Sequence, residues 1–179
     1  NWFYEAAVET YIPLAEMLGR LIDDGHDFGI TLSLSPTLIE MSSDPLLMGR
    51  LRRHIENLLE LTEKEIVRNR KDPRLAPLSR MYNEKIKKVR DLYETRGLIE
   101  PFRQLSGTGK VELITTSATH AFLPGLSTFP WAVKAQIALG IETFKRHFGK
   151  APSGFWLPEC GYYEGLDAVL KDAGIKYFF

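Results

Sequence analysis

From Gly107 onward the chain alternates between β-rich and helical stretches, and no other feature constrains its fold as tightly. Val111-Glu112-Leu113-Ile114-Thr115-Thr116 is β-rich. A loop holding His120, Pro124 and Gly125 leads to a predicted helix with Ile137, Ile141, Phe144 and Phe148 on one face and Gly149 as its C-cap. Gly154 to Leu157 is predicted as the next strand. Glu164 to Ala173 follows as a short helix ended by Gly174, and residues 175–179 begin another strand. Such alternation implies right-handed parallel βα units, as in a barrel or a doubly wound sheet.

The first half is mostly helical. Val8, Ile12, Ala15, Leu18 and Ile22 sit at helical spacing in residues 5–24, where Pro13 is expected to kink the helix or start its second half, and Asp24-Gly25 ends it. Residues 28–34 read as a buried strand stopping at Ser35-Pro36. Asp44-Pro45 opens a long helix whose stripe is Leu47, Leu51, Ile55, Leu58, Thr62 and Ile66. A second helix is predicted from about Pro77 to Leu105, with a stripe of Leu78, Tyr82, Ile86, Val89 and Tyr93. The short loop at Asp72-Pro73 would fold the two into an antiparallel hairpin. Residues 44–106 therefore read as a helical insertion within one domain spanning 1–179. A closed barrel usually takes roughly 200 residues or more, so a sheet of about four strands is not expected to close by itself. The chain reads as part of a larger domain.

Composition narrows the function classes. The 179 residues are 44% hydrophobic and 26% charged, which supports a buried core and excludes a disordered tail. Lys and Arg number 23 against 23 Asp and Glu, so no net charge draws the chain to nucleic acid or an anionic membrane, and a neutral partner fits better. The single cysteine, Cys160, excludes an internal disulfide framework; no apolar run of about 18 residues offers a bilayer span. A cytoplasmic setting is the default. The chain starts at Asn1, without Met or a signal-peptide pattern, so an upstream part is expected to be missing. With no HxH, HxxxH or CxxC pair, neither a metal site nor another cofactor is expected.

In parallel βα folds chemistry gathers where strands end and loops begin. Trp156-Leu157-Pro158-Glu159-Cys160-Gly161-Tyr162-Tyr163 is one such place. Sugars stack their apolar faces on rings such as Trp156 and Tyr162, and a carboxylate such as Glu159 can form a covalent glycosyl intermediate. Glu159 could equally be a structural cap, although Glu164 is better placed to cap the next helix. Thr116-Ser117-Ala118-Thr119-His120 is the second place, where His120 either hydrogen-bonds a sugar or the nucleophile, or is simply a structural loop histidine. His54 and His147 lie in predicted helices, His147 where it suits the helix dipole, and His26 lies in a turn. Glu112 is either a buried carboxylate that orients its neighbours or an exposed strand residue. Cys160 is expected to be a small packing residue with no activated thiol.

Gly109-Lys110-Val111-Glu112-Leu113-Ile114-Thr115 with Ala118-Thr119-His120, and Trp156-Leu157-Pro158-Glu159-Cys160-Gly161-Tyr162, resemble the second and third motifs of glycoside hydrolase family 57. The opening Trp2-Phe3-Tyr4-Glu5-Ala6 and Glu9-Thr10-Tyr11-Ile12-Pro13-Leu14 are similar to its branching-enzyme and α-amylase-like members. The resemblance implies an α/β fold, a partial (β/α)7 barrel with an inserted helical hairpin, acting on α-1,4-glucan with retention of configuration. It implies Glu159 as nucleophile, His120 as the second-motif histidine and Trp2 as a cleft tryptophan. The family's first histidine motif would lie before Asn1 and its acid/base aspartate beyond Phe179, so the isolated chain is expected to be inactive. Branching is the favoured activity, within glycogen-type metabolism. Amylase or 4-α-glucanotransferase activity, and a noncatalytic glucan-binding module, are alternatives. A metal-dependent polysaccharide deacetylase would need an Asp and His set that the segment does not show.

Overall fold

In the computed structural model, residues 2–179 are described. The chain runs α1 (Trp2–Ala6), α2 (Ile12–Asp23), β1 (Ile30–Ser33), α3 (Pro36–Met41), α4 (Pro45–Asn69), α5 (Leu75–Arg96), α6 (Glu100–Leu105), β2 (Val111–Thr116), α7 (Pro130–Phe148), β3 (Gly154–Trp156), α8 (Leu166–Asp172) and β4 (Tyr177–Phe178). It divides into a helical unit, residues 2–27 and 43–105, and a sheet-bearing unit, residues 28–42 and 106–179. The hairpin expected at 44–106 thus falls in a unit that also takes in residues 2–27.

Within the helical unit, α1 and α2 form one run, interrupted over Ala7–Tyr11 by a π-helical turn in which the Ile12 N–H reaches back five residues to the Ala7 carbonyl. Pro13 has no N–H for the Glu9 carbonyl, and its ring crowds that carbonyl, so the helix widens just before it and Pro13 stands in the first turn of α2, the start of the second half that was one of its two expected places. The hairpin of α4 and α5 is antiparallel: Tyr93 Oη donates to the Met48 carbonyl (2.8 Å), Asn83 Nδ2 to Thr62 Oγ1 (3.0 Å) and Asn69 Nδ2 to Ser79 Oγ (3.0 Å).

Those last two bonds correct the expected stripe of α5. The buried face runs Ala76, Ser79, Asn83, Ile86, Val89 and Tyr93, while Leu78 and Tyr82 are exposed. Buried polar side chains that satisfy one another escape a search for apolar spacing alone. Nor does the helix reach Leu105. Gly97, at φ 68°, ends α5, and Glu100–Leu105 forms the separate α6. At the start of α4, Asp44 Oδ1 accepts from the Leu47 N–H (2.8 Å). Asp44→Ala is expected to lower stability by about 1 kcal/mol, measured by denaturant unfolding.

The sheet-bearing unit holds four parallel strands in the order β1-β2-β3-β4. Every β2 residue except Glu112 is buried, as expected of a parallel strand covered on both faces. β1, expected to be buried, has three of its four residues exposed, because it is the outer strand of the described sheet. The chain then makes a helix that the sequence reading did not anticipate. Ser35 Oγ accepts from the Leu38 N–H (3.3 Å) and Pro36 takes the first turn of α3, so a Ser-Pro pair that stops a strand also starts a helix.

Glu40 of α3 holds both Arg146 and His147 (3.3 Å) in the last turn of α7, a role for His147 beyond meeting the helix dipole. Around β3, the side chains Leu123, Val133, Ile137, Phe155, Leu157, Leu166, Leu170 and Ile175 form the core under α7 and α8. Burial of each large aliphatic or aromatic side chain stabilises by about 1.5–3 kcal/mol. α8 begins at Leu166, with Gly165 at φ 92° as its N-cap residue; Glu164 lies outside it and is exposed. No helix among the described residues is long and apolar enough to cross a membrane.

Candidate active site

β2 and β3 are parallel neighbours, with Thr115 opposite Phe155 and Thr116 opposite Trp156. The loops leaving their C-terminal ends therefore emerge on one edge of the sheet. Thr116 Oγ1 donates to the Trp156 carbonyl (2.7 Å), tying the two strand ends together at that edge. His120 lies four residues beyond β2 and Glu159 three beyond β3, and their side chains meet, Nε2 to Oε1, at 3.4 Å. This is a long hydrogen bond, of the kind that tightens when a substrate fills a site.

Three non-glycine residues among those described have positive φ: His120 at 56°, Glu159 at 56° and Cys160 at 54°. A side chain in the left-handed region costs on the order of 1–3 kcal/mol unless its surroundings hold it there. Two of the three are the residues facing each other across this edge. The turn after β3 is closed by the Cys160 N–H on the Leu157 carbonyl (2.9 Å) and the Gly161 N–H on the Pro158 carbonyl (3.0 Å). Gly161 also lets the two loops approach: a Cβ there would lie 2.5 Å from the ring of Phe122. Cys160, expected to pack inward, is exposed, because the reversed turn that aims Glu159 carries its neighbour outward too.

A cleft of about 540 Å³ opens beside this pair, lined by Thr31, Ser33, Ser35, Leu38, Ile114, Thr116, His120, Trp156 and Phe179. That volume suits a small ligand or a sugar ring or two. Trp156 forms part of its wall, its ring 6.4 Å from that of Phe179. Glu159 stands outside the wall with its side chain 75% exposed, so an incoming electrophile can reach its oxygens. The sequence reading missed the hydroxyls of Thr31 and Ser33 on β1 and of Ser35 just beyond it, although alternate positions along an extended segment put their side chains on one face.

Tyr162 is placed differently. Its ring stacks on Phe178 at 6.0 Å and its hydroxyl donates to Asp167 (3.1 Å), which raises its ionisation above the usual phenol range; it does not line the cleft. Trp2 belongs to the helical unit, 64% exposed on α1 with its ring edge-on to Phe3. Glu112 is exposed, beside Thr31 in register. Glu112 and Thr31 are polar neighbours of the Tyr177 hydroxyl, which makes no hydrogen bond of good geometry; burial first, and Glu112 second, push that phenol up to about 12.

A carboxylate-bearing turn, an imidazole at its side and an aromatic-walled cleft are groups that glycosyl chemistry can use. The family model for glycosyl hydrolase family 57 matches residues 1–179. The 1,4-alpha-glucan branching enzyme of Thermococcus kodakarensis is 35% identical over all of this chain, which covers 28% of that enzyme. Among solved structures, the alpha-amylase AmyC from Thermotoga maritima matches 99% of this chain and 34% of its own, at 41% identity and a TM-score of 0.94. The GH57-type branching enzyme of Pyrococcus horikoshii matches 99% and 37%, at 31% identity and a TM-score of 0.92. The chain thus spans about a third of the length of these relatives. Such enzymes have a (β/α)7 barrel, and the four parallel strands here are part of one. The chain belongs to glycosyl hydrolase family 57.

Proposed function

We propose that this chain carries the nucleophile of a retaining, α-1,4-glucan-active enzyme, and that Glu159 is that nucleophile, with His120 and Trp156 on the glucan. The observation that supports it best is the strained, exposed Glu159 held against His120 at the C-terminal edge of the sheet. Glu159 attacks the anomeric carbon as the leaving oxygen is protonated by a second carboxyl group, which retaining enzymes hold about 5–5.5 Å away. The resulting glucosyl ester on Glu159 then passes to an acceptor. Branching, in which the acceptor is a 6-hydroxyl of another glucan, is the favoured outcome, as in glycogen-type synthesis in the cytoplasm. Transfer to water or to a 4-hydroxyl is the second reading, favoured by the 41% identity to an alpha-amylase.

The test is to incubate the complete protein with an activated α-glucosyl fluoride, digest it and weigh the peptides. A glucosyl adduct on the peptide containing Glu159 is the expected result, and an adduct elsewhere removes Glu159 from the role. On amylose, new α-1,6 linkages support branching, and reducing ends without linkages support hydrolysis. The 179 residues alone should leave amylose unchanged.

A further inference from the structure

We infer that Gln136, on α7, is a positioning residue for this reaction: it fixes the loop that carries His120 and so sets the imidazole against Glu159. The inference rests on the reading of Glu159 as the nucleophile. Gln136 grips two consecutive residues of the loop. Its backbone carbonyl accepts from the Ala118 N–H (3.0 Å), its side-chain Oε1 accepts from the Thr119 N–H (3.0 Å), and its Nε2 donates to Thr119 Oγ1 (3.0 Å). A primary amide suits this arrangement, because it presents an acceptor and a donor side by side to the N–H and the hydroxyl of one residue.

The next residue is His120, whose φ of 56° is a conformation that a non-glycine residue leaves when released. The rest of the turn is light: the His120 N–H reaches the Ser117 carbonyl at 3.1 Å, and Ser117 Oγ the Ala121 carbonyl at 3.3 Å. His120 is itself half exposed. The Gln136 amide, beside the backbone bond to Ala118, therefore ties the residue next to His120 to a rigid element, since α7 is anchored by Val133, Ile137 and Phe144 in the core. Without it the loop can relax and carry the imidazole away from the carboxylate. Gln136 is not among the residues lining the cleft, so its effect on the chemistry passes through the loop that carries His120.

The experiment is a double-mutant cycle in the complete protein, read as kcat and KM on amylose. Gln136→Leu is expected to lower kcat roughly ten- to hundredfold, the range seen when a reacting group is misplaced by about 1 Å, with KM within about twofold. In a His120→Ala background the same change is expected to have no further effect, because the group it positions is gone. Should Gln136→Leu fail to fold, Gln136→Asn keeps the amide but falls one methylene short, and the same His120-dependent loss is expected. Unchanged kcat in the folded variant, or a loss that multiplies with that of His120→Ala, overturns the inference while leaving Glu159 in place. Glu159→Gln is run alongside; if it keeps near-normal turnover, the nucleophile reading fails, and the role of Gln136 falls with it.

Discussion

Glu159→Gln in the complete protein is expected to reduce glucosyl transfer and hydrolysis on amylose by on the order of 10³-fold or more, while glucan binding stays close to that of the parent. Gln has the size and rotamer options of Glu and keeps an oxygen for His120 to hold. It cannot form a glucosyl ester, so the covalent intermediate is lost. The strained turn should survive the change, because it is held by backbone bonds from Cys160 and Gly161 to Leu157 and Pro158, none of which uses the carboxylate. Binding and chemistry therefore separate. Calorimetric titration with maltooligosaccharide and a branching assay on the same preparation measure both. Retained turnover would put the nucleophile elsewhere, and lost binding would make Glu159 a substrate-holding group instead.

The second large effect is on stability. At Gly140 an added Cβ would sit 2.3 Å from the Thr116 carbonyl oxygen and 3.4 Å from its carbon. Both are backbone atoms of the strand end that leads to His120, so no side-chain rotation relieves the clash, and α7 must move off the sheet. The shift would also stretch the bond from Thr115 Oγ1 to the Gly140 carbonyl (3.2 Å), leaving a buried hydroxyl poorly paired. Alanine would ordinarily favour a helix over glycine by about 1 kcal/mol. Here the overpacking cost prevails, and Gly140→Ala is expected to destabilise by about 1–3 kcal/mol and to weaken catalysis by displacing the loop beyond Thr116. Gly19→Ala, in α2 with nothing within 4 Å of its Cβ, is the control, expected to be neutral or slightly stabilising. Thermal unfolding of the two variants settles the point: equal melting temperatures would mean that the close approach of α7 to Thr116 carries no weight.

The order of elements from Gly107 onward was legible because each signal is local. The β-branched and aliphatic run of β2, the four apolar positions of α7 and the glycines at 149 and 174 act within a few residues of themselves. The same holds for Asp44 as a cap and for the aromatic Glu159 segment. The sequence reading went astray where a distant partner decides. The stripe of α5 shifted because Ser79 and Asn83 are buried against Asn69 and Thr62 of α4.

The candidate site divides in the same way. Glu159, His120 and Trp156 could be proposed from the chain alone, by their types, by their places at or just past strand ends and by the motifs they share with the family. Their mutual geometry could not. It took the parallel register of β2 on β3 to bring residues 39 positions apart to 3.4 Å, and the left-handed backbone at both to aim them. The parts of Gln136 and Gly140 were equally out of reach, since an amide or a missing Cβ on a helix gains meaning only from what packs against it. Local propensity and pattern are written residue by residue, whereas distance, strain and close approach exist only between segments that folding has brought together.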